Sequence, residues 1–180
     1  MLPERLLAGP VVLRGFVAAD APRVELLAGE REVAETTALI PHPYPAGAAA
    51  AWIATHGAAG AAGTEYTYAI TELDATLVGA IAVRPRPAER ENLGYWIGRA
   101  WWGRGYATAA ARAMIALAFG LLDLDAVSAS HLARNAASGR VMEKCGMRLL
   151  RGERREHRGT LEDFCVRGIA RGEWKRLIGE

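Results

Sequence analysis

The stretch Glu91-Asn-Leu-Gly-Tyr-Trp-Ile-Gly-Arg-Ala-Trp-Trp-Gly-Arg-Gly-Tyr-Ala-Thr108 decides how this chain reads. Leu93 to Arg99 has the content of a β-strand, with glycines at Gly94 and Gly98. From about Tyr106 to Phe119 the chain is rich in Ala, Leu and Met, which predicts a strong helix with Gly120 as its C-terminal stop. Between them lies a glycine-rich turn, so the context is strand, turn, helix. A helix N-terminus leaves backbone N–H groups unpaired and carries about half an elementary positive charge. Gly103 and Gly105 let the backbone curl and approach a ligand without Cβ clashes. Successive N–H groups then point into one concavity that suits a pyrophosphate. Arg104 adds a full positive charge, and Thr108 a hydroxyl in the first turn. Alone, Gly-x-Gly serves a tight turn equally well. A Walker loop is excluded because no Lys adjoins these glycines, and a dinucleotide fingerprint because position 108 is Thr.

Outward from this turn, the elements alternate. Val11 to Phe16 reads as a first strand after Gly9-Pro10, and Asp20 as the cap of a helix that tolerates Pro22 in its first turn. A short turn follows over Glu30 to Ala34. Ile40 to Pro45 cannot be helical, because prolines occupy every second position. The alanine-rich stretch Gly47 to Ala62 predicts a helix ending at Gly60 or Gly63. Glu65–Glu72 and Leu77–Arg84 predict an antiparallel hairpin turning at Leu73–Thr76 and closed by Pro85 and Pro87. Beyond the central helix come a strand (Ala126–His131), a helix (Asn135–Lys144, closed by Cys145-Gly146) and a strand pair (Met147–Arg151, Leu161–Ile169). A meander followed by strand–helix–strand is an α+β order, not a doubly wound sheet.

The chain's 180 residues suit one domain over 1–180. With 22 basic and 20 acidic residues, the charge balance gives no reason to expect nucleic-acid or membrane binding. Only the stretch Arg148 to Arg158 is locally dense in charge, which a solvated strand edge or loop explains. Two cysteines, Cys145 and Cys165, make no disulfide framework. The N-terminal residues lack the unbroken apolar run of a signal peptide, and Ala113–Leu122 is too short to span a bilayer. The expectation is a cytoplasmic protein with reduced thiols.

The quoted stretch resembles the central motif of the GNAT superfamily of acetyltransferases, in the branch of the ribosomal-protein N-terminal acetyltransferases. Gly105 and Ala107 match the last two positions of the superfamily pattern Gln/Arg-x-x-Gly-x-Gly/Ala, with Trp102 at the first, as is common in this branch. Asn135-Ala-Ala-Ser138 and Val141-Met-Glu-Lys-Cys-Gly-Met147 match a second motif. Leu13-Arg14 with Asp20, the Pro43-Tyr44-Pro45 loop and Arg171-Gly-Glu-Trp174 are also typical, so the resemblance covers about the whole chain. It implies a mostly antiparallel central sheet of six to seven strands flanked by helices. Acetyl-CoA would be the cosubstrate, lying in a split between Leu93–Arg99 and Ala126–His131. Main-chain groups of Trp96, Ile97 and Gly98 would hold the pantetheine arm. N–H groups from Gly103, Arg104, Gly105, Tyr106, Ala107 and Thr108 would hold the pyrophosphate. Asn135 and Ser138 would line the thioester end. The implied partners are acetyl-CoA and an amine acceptor, and a homodimer stays open.

The implied reaction is direct attack of an amine on a thioester in a ternary complex. The amine must lose a proton, the oxyanion must be stabilised and the thiolate must leave. Similar enzymes often carry a Glu two residues before Leu-Gly-Tyr-Trp's glycine, where this chain has Asn92. Glu91 is its neighbour, and adjacent strand residues face opposite sides unless a bulge re-aims one. Glu91, His131 and His42 are the candidates for base, with a solvated carboxylate or a structural histidine as the ordinary alternatives. Met142 stands about where many members have an acidic Tyr. Ser138 is the candidate to hydrogen-bond the thiolate, or else simply a helix cap. Cys145 reads as a buried, inert thiol. The acceptor pocket is expected from Pro41–Pro45, the helix with Trp52 and the turn after Arg84. Tyr44 and Trp52, and one of Tyr95 and Trp96, are either pocket wall or core. The competing functions are a CoA-binding regulatory module without catalysis, and a nucleotide-phosphate binder of another kind.

Overall fold

The computed structural model describes residues 2–86 and 91–179. Gly9, at φ 58°, turns the chain between β1 (Arg5–Ala8) and β2 (Val11–Arg14). The sheet continues through β3 (Tyr66–Thr71), β4 (Leu77–Val83) and β5 (Leu93–Ile97), antiparallel throughout and in sequence order. Every residue of β4 is buried, because helices cover both faces. On one face lies α4 (Tyr106–Gly120), whose Met114 and Ile115 are fully buried against Leu13, Ile70 and Ile81. On the other face lie α1 (Ala21–Ala28) and α3 (Ala48–Ala61), with the short α2 (Arg31–Glu35) between them.

A second sheet has the order β6–β8–β7, from β6 (Ala126–Leu132), β7 (Arg148–His157) and β8 (Thr160–Ala170). Helix α5 (Ala136–Lys144) connects β6 to β7, and α6 (Arg171–Ile178) ends the chain by docking Trp174 beside Phe119. Strands β5 and β6 adjoin but share no ladder. At their starts, Asn92 Oδ1 accepts from Ser128 N at 3.2 Å and from Ser128 Oγ at 3.1 Å.

The architecture is α+β as expected, and among the described residues eight strands form two sheets, one strand more than the six to seven expected. The added strand is β1, which Gly9-Pro10 had screened as a boundary. Strand β2 stops at Arg14, short of Phe16. Asp20 precedes α1 as expected, but its carboxylate does not cap that helix. It accepts both arms of Arg14, at 2.7 and 2.8 Å, and the Val17 N–H at 2.9 Å. That bidentate charge-assisted pair takes both oxygens, and Pro22 offers no N–H to compete. β5 ends at Ile97, and Arg99–Trp101 forms a 3-10 turn. Gly120 is the last helical residue rather than the stop beyond it. β7 runs six residues past Arg151, so the charged stretch from Arg148 is a long strand whose acids and bases pair along it. Pro87, expected to close the β4 end, lies outside the described residues.

Gly79 fixes how closely β4 and β5 approach. A Cβ there would collide with Trp96 O and lie 2.9 Å from the Ile97 side chain. Gly79→Ala therefore destabilises the protein by about 1–3 kcal/mol, as overpacking against backbone does. The measurement is urea unfolding followed by tryptophan fluorescence. An unchanged midpoint refutes this reading of Gly79.

Candidate active site

The glycine-rich turn has the geometry an anion cradle needs. Gly103 and Gly105 both take positive φ, 78° and 80°, and a Cβ at either would meet open space. The first main-chain bond of α4 runs from Ala109 N to Gly105 O at 3.0 Å. The N–H groups ahead of it, up to Thr108, thus have no helical carbonyl to bond. No side chain caps this helix. One carboxylate organises the turn from outside. Glu72, just past β3, accepts Trp101 Nε1 at 2.9 Å and Tyr106 Oη at 2.6 Å, and lies 3.8 Å from Arg104. Hydrogen bonds from Tyr106 and Trp101 hold its carboxyl below the usual range. Trp102 closes the turn by donating to Ile97 O at 2.7 Å.

Alternation along β5 sorts its polar groups. Asn92 O accepts from Arg84 N and Gly98 N donates to Val78 O, both at 2.8 Å. Even-numbered main-chain groups therefore face β4, and the odd-numbered ones, Tyr95 and Ile97, face the gap toward β6. Of the three residues expected to hold a pantetheine arm, Trp96 and Gly98 have their main chain in the β4 ladder, and Ile97 points into the gap. The side chains divide as well. Trp96 packs toward α1 and α3, and Tyr95 toward α4 and α5.

Tyr95 then meets the start of α5. Its hydroxyl lies 2.8 Å from Ser138 Oγ and 3.2 Å from Ser138 O. Burial pushes this phenol well above its ordinary pKa. Asn135 caps α5 by accepting from Ser138 N at 3.1 Å. Asn135, Ser138 and Tyr95 thus form one chain of contacts, and the phenol arrives from β5 where Met142 on α5 is buried and apolar. His131 is 6% exposed, its Nδ1 2.9 Å from Leu132 O. Its ring lies against Gly139, where a Cβ would be 3.0 Å from Nε2, and Nε2 has no partner.

Glu91 and Asn92 go to different tasks. The Asn92 amide donates to Arg84 O at 2.9 Å while its oxygen takes Ser128, so it clamps β4, β5 and β6 together. Glu91 is half-buried beside Ser130 Oγ, 2.7 Å away, and is bonded by the Arg155 guanidinium, which also bonds Glu153 and Ser130. Burial pushes the Glu91 carboxyl up, but hydrogen bonds from Arg155 and Ser130 outweigh it and the pKa is lowered. A charge held this firmly is a weak proton acceptor. Arg155 rests on the Phe164 ring, 5.3 Å from its centroid.

A cavity of about 730 Å³ joins these groups, lined among others by Glu91, Trp96, His131, Ser138, Tyr44 and Trp52. Tyr44 and Trp52 are both wall and core: they line the cavity while packing on the α1 cluster. Pro41 also lines it, but His42 turns away to Gly29 O, 3.2 Å off. The glycine turn, which follows the end of β5, is not among the residues lining the cavity. Cys145 is buried, its thiol pushed up to about 11 by burial, and is no nucleophile. Two members escaped the sequence reading and a third was left open. Glu72 and Arg155 are distant in sequence from the motifs they serve. Tyr95 was one of two options on its strand, and only the direction of the pleat decides between them.

Residues 11–148 match the family model described as an acetyltransferase (GNAT) domain, and the chain belongs to that family of acyltransferases. An acetyltransferase (GNAT family) from Bacillus anthracis superposes with a TM-score of 0.80 at 20% identity, over 92% of this chain and 98% of that one. Mycobacterium smegmatis RimJ, in complex with CoA-disulfide, gives 0.78 at 22% identity, over 96% and 90%. The self-immunity acetyltransferase MccE, solved with acetyl-CoA and AMP, gives 0.77 at 15% identity, over 90% and 93%. No curated protein matches the sequence. Among the described residues no helix is long and apolar enough to cross a membrane.

The Glu91 pairing has a pH signature. A lowered carboxyl contributes stability that is present above its unfolded pKa of about 4.3 and lost as pH falls through the folded value. Glu91→Gln lowers stability at pH 7 by about 1–3 kcal/mol. In urea unfolding, the gap between the two proteins closes as pH drops below about 4. A gap that stays constant down to pH 3 overturns the pairing.

Proposed function

We propose that this chain, as one domain over residues 1–180, is a cytoplasmic N-acetyltransferase that moves the acetyl group of acetyl-CoA to a primary amine by direct attack in a ternary complex. The observation that carries the reading is the gap between β5 and β6: β5 leads into the glycine-rich turn at the start of α4, and residues of both strands line the cavity that holds the ionisable groups. Acetyl-CoA supplies the activated acyl group and a thiol leaving group. The N–H groups of Gly103 to Thr108, with Arg104, hold the pyrophosphate. The open-edge main chain of Tyr95 and the Ile97 N–H hold the pantetheine arm, the Ile97 carbonyl being taken by Trp102. Asn135 fixes the first turn of α5, and Ser138 Oγ donates a hydrogen bond to the departing sulfur. Glu91 stays ionised and orients a water that passes the amine proton to solvent, from which the departing CoA thiolate takes one up. Asn92 and His131 support the site from behind.

This arrangement favours one class of acceptor. Glu91, the carboxylate between β5 and Arg155, is held ionised and is a weak base, so an acceptor that reaches the site already neutral is favoured. An α-amine, with a pKa of about 7.7–8.0, meets that condition far better than a lysine side chain at about 10.4. A peptide N-terminus or a small α-amine is therefore the proposed acceptor.

The test is thiol release from acetyl-CoA with a panel of amines. Turnover with α-amines exceeding that with lysine side-chain amines supports the reading. Tight CoA binding with no turnover on any amine overturns it in favour of a binding module. A companion measurement is CoA affinity by calorimetry. Gly105→Ala, which strains the positive φ and displaces the cradle, raises the Kd roughly tenfold.

A further inference from the structure

Tyr95 Oη carries one hydrogen and faces two acceptors on the same residue, Ser138 Oγ at 2.8 Å and Ser138 O at 3.2 Å. Two arrangements are available. If the phenol donates to the carbonyl, its oxygen accepts the Ser138 hydroxyl hydrogen, and Ser138 has nothing left to donate. If the phenol donates to Oγ, the Ser138 hydrogen is free to turn outward into the cavity that Ser138 lines. The contact to Oγ is common to both; the contact to the carbonyl, which only the first arrangement needs, is long for an O–H···O bond. The partners are held from behind: the Tyr95 ring packs into the core cluster under α4, and Asn135 pins Ser138 by its backbone N–H.

We infer that Tyr95 is a positioning residue for acyl transfer, its hydroxyl donating to Ser138 Oγ so that the Ser138 hydrogen is aimed at the leaving sulfur. The inference rests on the function proposed above. Tyr95 gives up no proton in this role. Burial holds its phenol protonated across the working range, so it supplies a hydrogen bond and nothing more. Because the ring stays in place when the hydroxyl is removed, Tyr95→Phe isolates the contact.

Two measurements test it on the full-length protein. The first needs no acceptor: the thiol of bound CoA is titrated by its thiolate absorbance. The Ser138 donor favours the thiolate, so the bound thiol ionises at lower pH in the native protein. In Tyr95→Phe and in Ser138→Ala its ionisation constant falls by about tenfold, the worth of one hydrogen bond to a charged group. The second is steady-state turnover. Tyr95→Phe lowers kcat roughly tenfold with the KM for acetyl-CoA within about twofold, and adds nothing in a Ser138→Ala background. A merely structural Tyr95 leaves the bound-thiol titration unmoved and costs as much with Ser138 absent as with it present. Either result overturns the inference. Absence of amine turnover by the native protein fails the proposed function instead, and the titration still decides on Tyr95.

Discussion

A β-strand has two hydrogen-bonding edges, and in this protein β5 uses only one. Its even-numbered residues are committed to β4, while the main-chain groups of Tyr95 and Ile97 have no strand to meet, because β6 belongs to another sheet. Unsatisfied backbone groups at the centre of a fold are costly, so such an edge must be wet, covered or reserved for a ligand. The rest of the molecule is arranged around that open edge. Asn92 closes it at one end by tying β4 to Ser128, which keeps the two sheets from drifting apart. Gly98 and the 3-10 turn then carry the chain away from the sheet and into α4, so that the glycine-rich turn follows the far end of the same strand.

Charge placement follows from the same constraint. A gap between sheets admits water and polar side chains, and the chain fills its acceptor side with mutually compensated groups. Arg155 brings β7 to Glu91 ahead of β5, with Glu153 and Ser130 as further partners. Such a network is a scaffold that fixes where one carboxylate stays ionised. The firmness that makes Glu91 dependable as a charge also makes it weak as a base. On the cradle side, Glu72 plays the complementary part: a carboxylate outside the turn aligns Trp101 and Tyr106 on either side of the glycines and keeps Arg104 near.

What the sequence revealed and what it hid divides by the range of the interaction. The glycine-rich turn, α4 and α5 are local, because glycine and alanine act within a few residues, and these elements form where they were read, with Gly120 inside α4 and Asn135 rather than Ser138 capping α5. The α+β order was legible from the spacing of strands and helices. The break between the sheets was reached through the motifs' resemblance rather than through periodicity. Features that depend on which face a residue takes, or on distant partners, were not legible. Asp20 has the look of a helix cap, but Arg14 on β2 reaches it first. Arg155 sits in a stretch that reads as solvated surface, and only the pairing of β7 with β8 turns it inward.

Tyr95 and Ser138 bring these threads together. A helix-start serine is ordinarily explained by capping, yet here Asn135 already performs that task. The Ser138 hydroxyl is thereby released from the backbone and left for a partner from another element. That partner comes from the open strand itself: an odd-numbered residue on β5 whose backbone faces the gap and whose ring is held under α4. One residue therefore contributes main chain to the open edge and a hydroxyl to Ser138. Any displacement of β5 moves both together, so in the proposed reaction the same strand would set the depth of the donor and the aim of the hydrogen bond that it needs.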